Sequence, residues 1–316
     1  MTANQEDYIR YLASKKSVDD RALNQAVLSA LARRLVPGTP DRPVRILEIA
    51  AGIGTMVERL CDLNLLQQAD ITLVEPNGTY LAECRKRLSR WADLSGRRIG
   101  WKGETLPNGP MQDNELALTL VPADLEAFLS RTASGQTWDL VMAHAFLDLT
   151  DLTFAIPGLC RLACPGGLLY LSINYDGKTR FWPDMDPDFE RCLLDLYNQS
   201  MERRRICGRP TGASRTGRRL LGTLMAAGAE LISAGRSDWL VFATDKTYCK
   251  DEAYFLTFIL ATIRDELKGH PDLDRSRLQR WYEQRRAQIK TGQLIYLAKN
   301  MDFLARRTTE SQMSDG

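Results

Sequence analysis

The chain opens in a helical rhythm. From Glu6 to Leu35 apolar residues recur at three- and four-residue spacing, with an interruption at Ser17-Val18-Asp19-Asp20 where Ser17 or Asp19 is placed to cap a second helix. Pro37-Gly-Thr-Pro40 ends that segment, and the period then shortens. Val44, Ile46, Leu47 and Ile49 form an apolar run broken only by Arg45 and Glu48, the pattern of a short strand buried in a parallel sheet. Ala50 to Gly54 carries nothing larger than Ile53, so the backbone can turn sharply and a ligand can approach it closely. From Thr55 the spacing of Met56, Val57, Leu60 and Leu63 is again helical, with one buried face. Strand, small-residue turn and helix are the opening of a nucleotide-binding βαβ unit.

The alternation continues. Asp70 to Glu75 predicts a second strand ending in an acid, and Thr79 to Ala92 a helix with Leu81, Cys84 and Leu88 as its inner stripe. Arg98 to Trp101 reads as a short strand, Leu106 to Asn114 as a turn-rich loop and Leu116 to Val121 as a full strand, with Asp124 and Glu126 following at the sheet's carboxyl edge. Trp138 to Ala143 is the next strand and delivers His144 and Asp148 to the same edge. Asp151 to Ala163 predicts a capped helix, Pro165-Gly166-Gly167 its stop, and Leu168 to Ile173 a further strand. Such alternation predicts an α/β fold with a doubly wound, mostly parallel sheet.

After Asn174 the rhythm changes. Tyr175 to Pro187 is rich in aromatics, charge and proline. Helical patterns follow at Asp188 to Arg205, Thr216 to Ala227, Glu252 to Lys268 and Leu273 to Ile289, with strands near Glu230 to Ala234 and Leu294 to Leu304 and a polar tail from Arg306 to Gly316.

Composition narrows the function classes. With 42 basic and 40 acidic residues in 316, the net charge of +2 gives no polyanion-binding signature. The seven cysteines contain no Cys-x-x-Cys pair and the chain has only two histidines, which argues against a zinc cluster and for reduced, structural thiols. Met1 to Lys16 has no signal-peptide core, and no window approaches the ~20 apolar residues of a membrane span. A cytoplasmic protein without a membrane partner is the expectation.

Taken in order, these segments resemble a class I S-adenosylmethionine-dependent methyltransferase of the small-molecule type. That family's first motif, Asp/Glu-x-Gly-x-Gly-x-Gly, stands here as Glu48-Ile-Ala50-Ala-Gly52-Ile-Gly54, with Ala50 in place of the first glycine. The acid-ended second strand at Glu75, the acid at Asp124, the Trp138-Asp-Leu-Val strand and the Cys164-Pro-Gly-Gly167 turn continue the match over about Val44 to Ile173. The resemblance implies a seven-stranded Rossmann-like sheet and S-adenosyl-L-methionine as cofactor, with S-adenosyl-L-homocysteine as product. It implies that Glu48, Ala50, Gly52 and Gly54 cradle the methionine part, Glu75 binds the ribose, and Asp124 with Leu125 holds the adenine. It further implies a helical lid over residues 1–40 contributing Tyr11, Lys15 and Arg21 and a cofactor-binding core over 41–173. Beyond the reach of the resemblance, the residue pattern gives the expectation of a substrate-side helical cap with strand six over 174–292, a last strand over 293–305 and a flexible tail over 306–316. A nicotinamide-type turn is disfavoured, because Val57 stands where its third glycine would be.

The chemistry of the acceptor side is read from three places. His144, at the tip of a strand near the expected methyl group, is a candidate general base as well as a cofactor contact, the alternative being a bond to a neighbouring group. Asp148, four residues on, is a candidate to orient His144 or to bind a cationic substrate, or else a helix cap. Tyr175, Asp176 and Trp182 offer aromatic faces and an acid suited to an amine or guanidinium, or else a structural loop. The arginine clusters 203–205, 218–219 and 285–286 read as solvated helix faces. Nucleic-acid amino-methylating and cysteine-dependent subclasses lack their signatures here, and no metal site is expected. The expected function is methyl transfer to nitrogen or oxygen of a small-molecule metabolite or natural product, alone or as a homodimer. A nucleic-acid methyltransferase and a non-catalytic protein of the same fold are the alternatives.

Overall fold

The computed structural model describes residues 4–102, 115–133, 135–206 and 208–308. Two helices, α1 (Gln5–Ala22) and α2 (Gln25–Arg34), precede the sheet. Their break falls at Leu23-Asn24, later than the sequence pattern places it. Asn24 is the cap, accepting from the amides of Ala26 and Val27 at 3.1 Å. Ser17 and Asp19 lie instead inside α1 and are buried, because both are spent on distant partners.

The parallel half follows as β1 (Val44–Ile49), α3 (Thr55–Asp62), β2 (Ala69–Val74), α4 (Gly78–Ser95), β3 (Arg98–Trp101), β4 (Glu115–Val121), α5 (Leu125–Arg131), β5 (Trp138–His144), a 3-10 turn (Leu147–Leu149) and α6 (Leu152–Leu162). Asp124 caps α5 and Asp151 caps α6, each accepting a backbone amide of the first turn. Next comes β6 (Ala163–Trp182), which absorbs the Cys164-to-Gly167 turn and runs far past the predicted Ile173. The remainder is α7 (Pro187–Arg203), the short strands β7 (Arg205–Ile206) and β8 (Arg209–Pro210), a 3-10 turn (Ala213–Arg215), α8 (Thr216–Ala226), β9 (Ala229–Arg236), β10 (Trp239–Val241), α9 (Glu252–Leu267), α10 (Arg275–Lys290) and β11 (Ile295–Arg307). The loop predicted over 106–114 and the tail beyond residue 308 lie outside the described residues.

The main sheet has nine strands among the described residues, not seven. Its path is β10-β11-β6-β5-β1-β2-β4-β3, with β9 also on β11. The pairs from β3 to β6 are parallel and those made by β11 antiparallel. One of the two extra strands, β10, is accommodated because bulged β11 is long enough to pair with β9 along one part and with β10 along another. At the bend of β6, Ile173 has φ of 54°, and its amide donates to buried Asp302 at 2.7 Å while Asn174 reaches the carbonyls of Leu171 and Met301. The same Asp302 accepts from the Asn24 amide at 2.9 Å, tying the break between α1 and α2 to the sheet. Burial pushes its carboxyl up to about 6.

Apolar cores line both faces of the sheet, and a third, built on Phe181, Phe189, Leu193, Phe255, Leu260, Trp281 and Tyr296, joins the far half of β6 to α7, α9 and α10. The segment after Asn174 is therefore largely a helical layer on the sheet's extension, and Ile206, Arg209 and Pro210 are the parts of it that reach the cavity described next. No described helix is long and apolar enough to cross a membrane.

Candidate active site

A cavity of about 370 Å³ opens at the carboxyl ends of β1, β2, β4 and β5. This is where a parallel sheet leaves its loops to hold ligands. Its floor is the turn after β1. Ala50, Gly52 and Gly54 all adopt positive φ, at 55°, 55° and 77°, so Ala50 bears the strain that a glycine would relieve. A Cβ on Gly54 would come within 2.7 Å of Cys84 Sγ, and one on Gly52 would meet Leu12 from α1 at 3.5 Å. The first contact leaves no room for a side chain at Gly54 against α4, whereas at Gly52 there is space and the positive φ is what favours glycine.

Glu75 sits just past β2, with both oxygens held. Oε2 accepts from the Gly52 amide at 3.1 Å and Oε1 from the Asn77 amide at 3.0 Å. Burial raises its pKa while these two amides oppose the rise. Asp124, exposed at the end of β4, uses Oδ1 to cap α5 at 2.7 Å, and neighbouring Leu125 is buried. Both line the cavity, as do Glu48, Ala50, Gly52 and His144; Gly54 stands just behind the turn.

Glu48 is 2% exposed, and its Oε2 has no hydrogen-bond partner among the described residues. Burial foremost, with the nearby Glu75 charge adding and Arg59 opposing, pushes its carboxyl up to about 8. The unfolded chain gives up this proton near 4.5, so Glu48 costs stability progressively as pH rises from there through 8. Glu48→Gln should raise the melting temperature. The gain should grow from pH 5 to pH 8 towards roughly 2 kcal/mol, allowing for relaxation beside the cavity. Thermal scans at the two pH values check this, and a gap that shrinks towards pH 8 would contradict the burial of an unpaired carboxyl.

His144 is committed on both sides of its ring. Nε2 meets Asp19 Oδ2 at 2.9 Å and Nδ1 meets Ser172 Oγ at 2.8 Å. Burial, countered by Asp19 and reinforced by Lys15 and Arg59, pushes its pKa down to about 4, while Lys15 and His144 hold Asp19 well below the usual carboxylate range. With Asp19 ionised, the neutral ring donates from Nε2 and accepts at Nδ1, leaving no nitrogen free for a substrate proton. Asp19 also pairs with Lys15 at 3.1 Å and accepts from Trp239 Nε1 at 2.9 Å. The acid that orients His144 is thus Asp19 of α1, 125 residues away, and not Asp148. Asp148 lies half-buried in the turn after β5, and burial raises its pKa.

Of the three lid residues expected at the cofactor, Lys15 lines the cavity and Tyr11 and Arg21 do not. Tyr8, Leu12 and Lys15 line the cavity, with Tyr8 stacked on Tyr80 at 5.4 Å. Tyr11 is turned away, stacked on Phe258 at 4.1 Å, and Arg21 binds buried Glu252 with Nη2 to Oε2 at 2.9 Å. Tyr175, Asp176 and Trp182 also stand outside the cavity lining. Tyr175 bonds Thr179 and Asn198 at 3.0 Å, Asp176 is taken by Arg218 at 2.8 Å, and Trp182 ends β6 opposite Ile295. The far wall, unread in the sequence, is apolar: Phe146, Leu149, Phe154, Ile206 and Pro210, with Arg209 over the Phe154 ring at 4.4 Å and on Glu126 at 3.3 Å. Of the arginine clusters, Arg203, Arg205, Arg218, Arg219 and Arg286 are exposed as expected, and Arg285 is the exception. Arg219 pairs with Glu202 at 3.1 Å, and fully buried Arg285 pairs with Glu190 and reaches the Pro183 carbonyl. No group of metal-ligating side chains occurs among the described residues.

No family model and no curated protein sequence matches the chain. Solved structures do. One from Bacillus halodurans, assigned as a methyltransferase, is 14% identical, with a TM-score of 0.50 over 90% of this chain and 100% of that one. An assigned sarcosine dimethylglycine methyltransferase of Galdieria sulphuraria is 12% identical with a TM-score of 0.41, over 90% and 83%. Phosphoethanolamine N-methyltransferase 2 of Haemonchus contortus, determined with S-adenosylhomocysteine, is 13% identical with a TM-score of 0.42, over 90% of this chain and 52% of that one. The chain has the class I methyltransferase fold.

Proposed function

We propose that the chain is an S-adenosylmethionine-dependent methyltransferase acting on a small-molecule acceptor through nitrogen or oxygen. The observation that carries this reading is Glu75. Its carboxylate is pinned by two backbone amides at the tip of β2, one strand from Glu48 on β1 and one from Asp124 after β4. That register suits a nucleoside laid across three strand ends, with the ribose hydroxyls donating to Glu75 and the adenine amino group to Asp124. The residues fit the rest of the cofactor too: the positive-φ turn leaves room for its amino-acid chain, and Glu48 offers an unpartnered buried oxygen on the same wall.

The cofactor would supply a methyl group already activated on a sulfonium, so transfer is an in-line displacement. The chain's own part is alignment. Glu75 and Asp124 fix the nucleoside, His144 and Asp19 hold α1 over it, and Phe146, Leu149 and Phe154 keep water from one wall. Since His144 has no free nitrogen, this reading favours an acceptor that arrives deprotonated or loses its proton to water. An amine or guanidinium acceptor has no support from Tyr175, Asp176 and Trp182, which serve structure elsewhere.

Calorimetry with S-adenosylmethionine and S-adenosylhomocysteine tests the proposal. Both should bind, and Asp124→Ala should weaken both by about tenfold, the loss of one hydrogen bond to a charged group. Binding of neither compound would sink the reading, and unaltered binding by the variant would sink the place given to adenine. A labelled cofactor incubated with a metabolite extract would then reveal the acceptor.

A further inference from the structure

The segment from Arg203 to Arg219 carries seven arginines and no acid, in a chain whose net charge is only +2. It includes β7 and β8, and through Ile206, Arg209 and Pro210 it forms one side of the cavity. Arg209 is the one arginine among the described residues that line the cavity. Its guanidinium lies 4.4 Å from the centre of the Phe154 ring, which helps to orient the planar fork. Of its N–H groups only those on Nη2 meet an acid, Glu126 Oε1 at 3.3 Å. Both side chains of that pair are open to water, at 42% and 60%, so the contact is weak and exchangeable. The neighbouring charge is not neutralised either. Arg203, Arg205 and Arg215 make no side-chain hydrogen bond or ion pair among the described residues, and Arg204 stands within electrostatic reach of Asp148, in the turn that bears Leu149.

The apolar side chains beside these arginines are themselves left open. Leu149 is 36% and Ile206 47% exposed, although both line the cavity. The acids of this wall are engaged: Asp151 accepts from the amide and the hydroxyl of Thr153 at 2.9 and 2.8 Å, and Glu126 is on Arg209. An apolar surface with a preplaced guanidinium beside it suits a molecule with an apolar body and an anionic end.

We propose that the methyl acceptor is such a molecule, bearing a phosphate or a carboxylate that Arg209 takes up in exchange for Glu126, with its body against Phe146, Leu149 and Ile206. Arg209 then selects the acceptor by charge, and Arg203, Arg204 and Arg205 draw it towards the cavity. This rests on the reading that the cavity also holds the cofactor, but it makes no use of the nucleoside seat at Glu75 and Asp124.

The test is titration calorimetry on protein saturated with S-adenosylhomocysteine. The probes are phenyl phosphate, benzoate and benzylamine, which share one ring and differ in charge. Wild type should bind at least one of the two anions about tenfold or more tightly than benzylamine, and which of them it prefers separates a phosphate from a carboxylate. Arg209→Gln, a change at a half-exposed position, should weaken the preferred anion by about tenfold and leave S-adenosylhomocysteine affinity as it is. Glu126→Gln removes the competing carboxylate and should strengthen the same anion by about threefold. Benzylamine bound as tightly as the anions, no binding of either anion, or an anion affinity unaltered in Arg209→Gln would each overturn the proposal. So would an Arg209→Gln variant that loses S-adenosylhomocysteine along with the anion, which would place the arginine at the cofactor instead. If wild type fails to bind S-adenosylhomocysteine, the cofactor reading falls, and the same titrations on the unloaded protein decide the anion seat by themselves.

Discussion

Asp19→Ala is expected to destabilise the protein by about 3–5 kcal/mol, a fall in melting temperature of roughly 10 °C. Asp19 is 1% exposed and accepts from Trp239, pairs with Lys15 and meets His144. Its removal leaves a buried ammonium and two buried N–H donors without an acceptor, the costliest kind of truncation. Asp251→Ala breaks an ion pair with Arg10 in which both side chains are about half exposed, and should cost no more than about 1 kcal/mol. Equal losses in the two variants would refute the network. The same network fixes a pH dependence. His144 titrates near 4 in the folded protein against an ordinary 6.5, so its contribution is complete above 6.5 and is lost as pH falls towards 4. The depressed pKa of Asp19 acts in the same direction at lower pH. Glu48 and Asp302, whose carboxyls are raised, contribute the opposite slope over this range, so the difference between wild type and His144→Asn is the quantity to follow. The melting-temperature gap should narrow as pH falls from 6.5 to 4.5, and a gap constant from pH 7 to pH 4.5 would contradict the buried neutral ring.

Glu75→Ala is expected to weaken binding of S-adenosylhomocysteine by at least about a hundredfold, near 3 kcal/mol. Two losses combine. The ribose would forfeit its charged acceptor, and the Gly52 and Asn77 amides would lose the carboxylate that holds the floor turn against β2. Glu75→Gln keeps one acceptor oxygen and should fall in between. Titration calorimetry on the three proteins checks this order, and an alanine variant that binds as wild type does would move the nucleoside away from this wall.

The core of the fold was legible because its signals are local. Val44 to Gly54 carries both the strand period and the small-residue turn, and Asp151 announces its helix by position. What escaped depends on contacts between distant parts of the chain. Asp148 looked like the partner of His144 because it was near in sequence, whereas the true partner comes from the lid, 125 residues away. The helical phase of α1 held a usable signal. Tyr8, Leu12, Lys15 and Asp19 follow one another at four, three and four residues and so share one face. Tyr11 lies about a fifth of a turn and Arg21 about two-fifths of a turn off that stripe, where α9 presents Phe258 and Glu252. Asp176 could not be read as spent, because Arg218 belongs to a helix whose docking no local pattern specifies. The apolar wall from β7 and β8 was hidden for a similar reason: strands of two residues leave no period to find.

The sharing of β11 between β6, β9 and β10 bears on how the chain is made. Its pairings reach back from Arg306 to Leu168 and from Ile295 to Trp182, so every antiparallel ladder of the main sheet waits for residues 295–307. During synthesis the parallel strands can assemble as they emerge, and the far half of β6 stands as an open edge until β11 closes it. Between the emergence of residue 182 and that of residue 295 this protein therefore carries an uncovered sheet margin, which the last described strand removes.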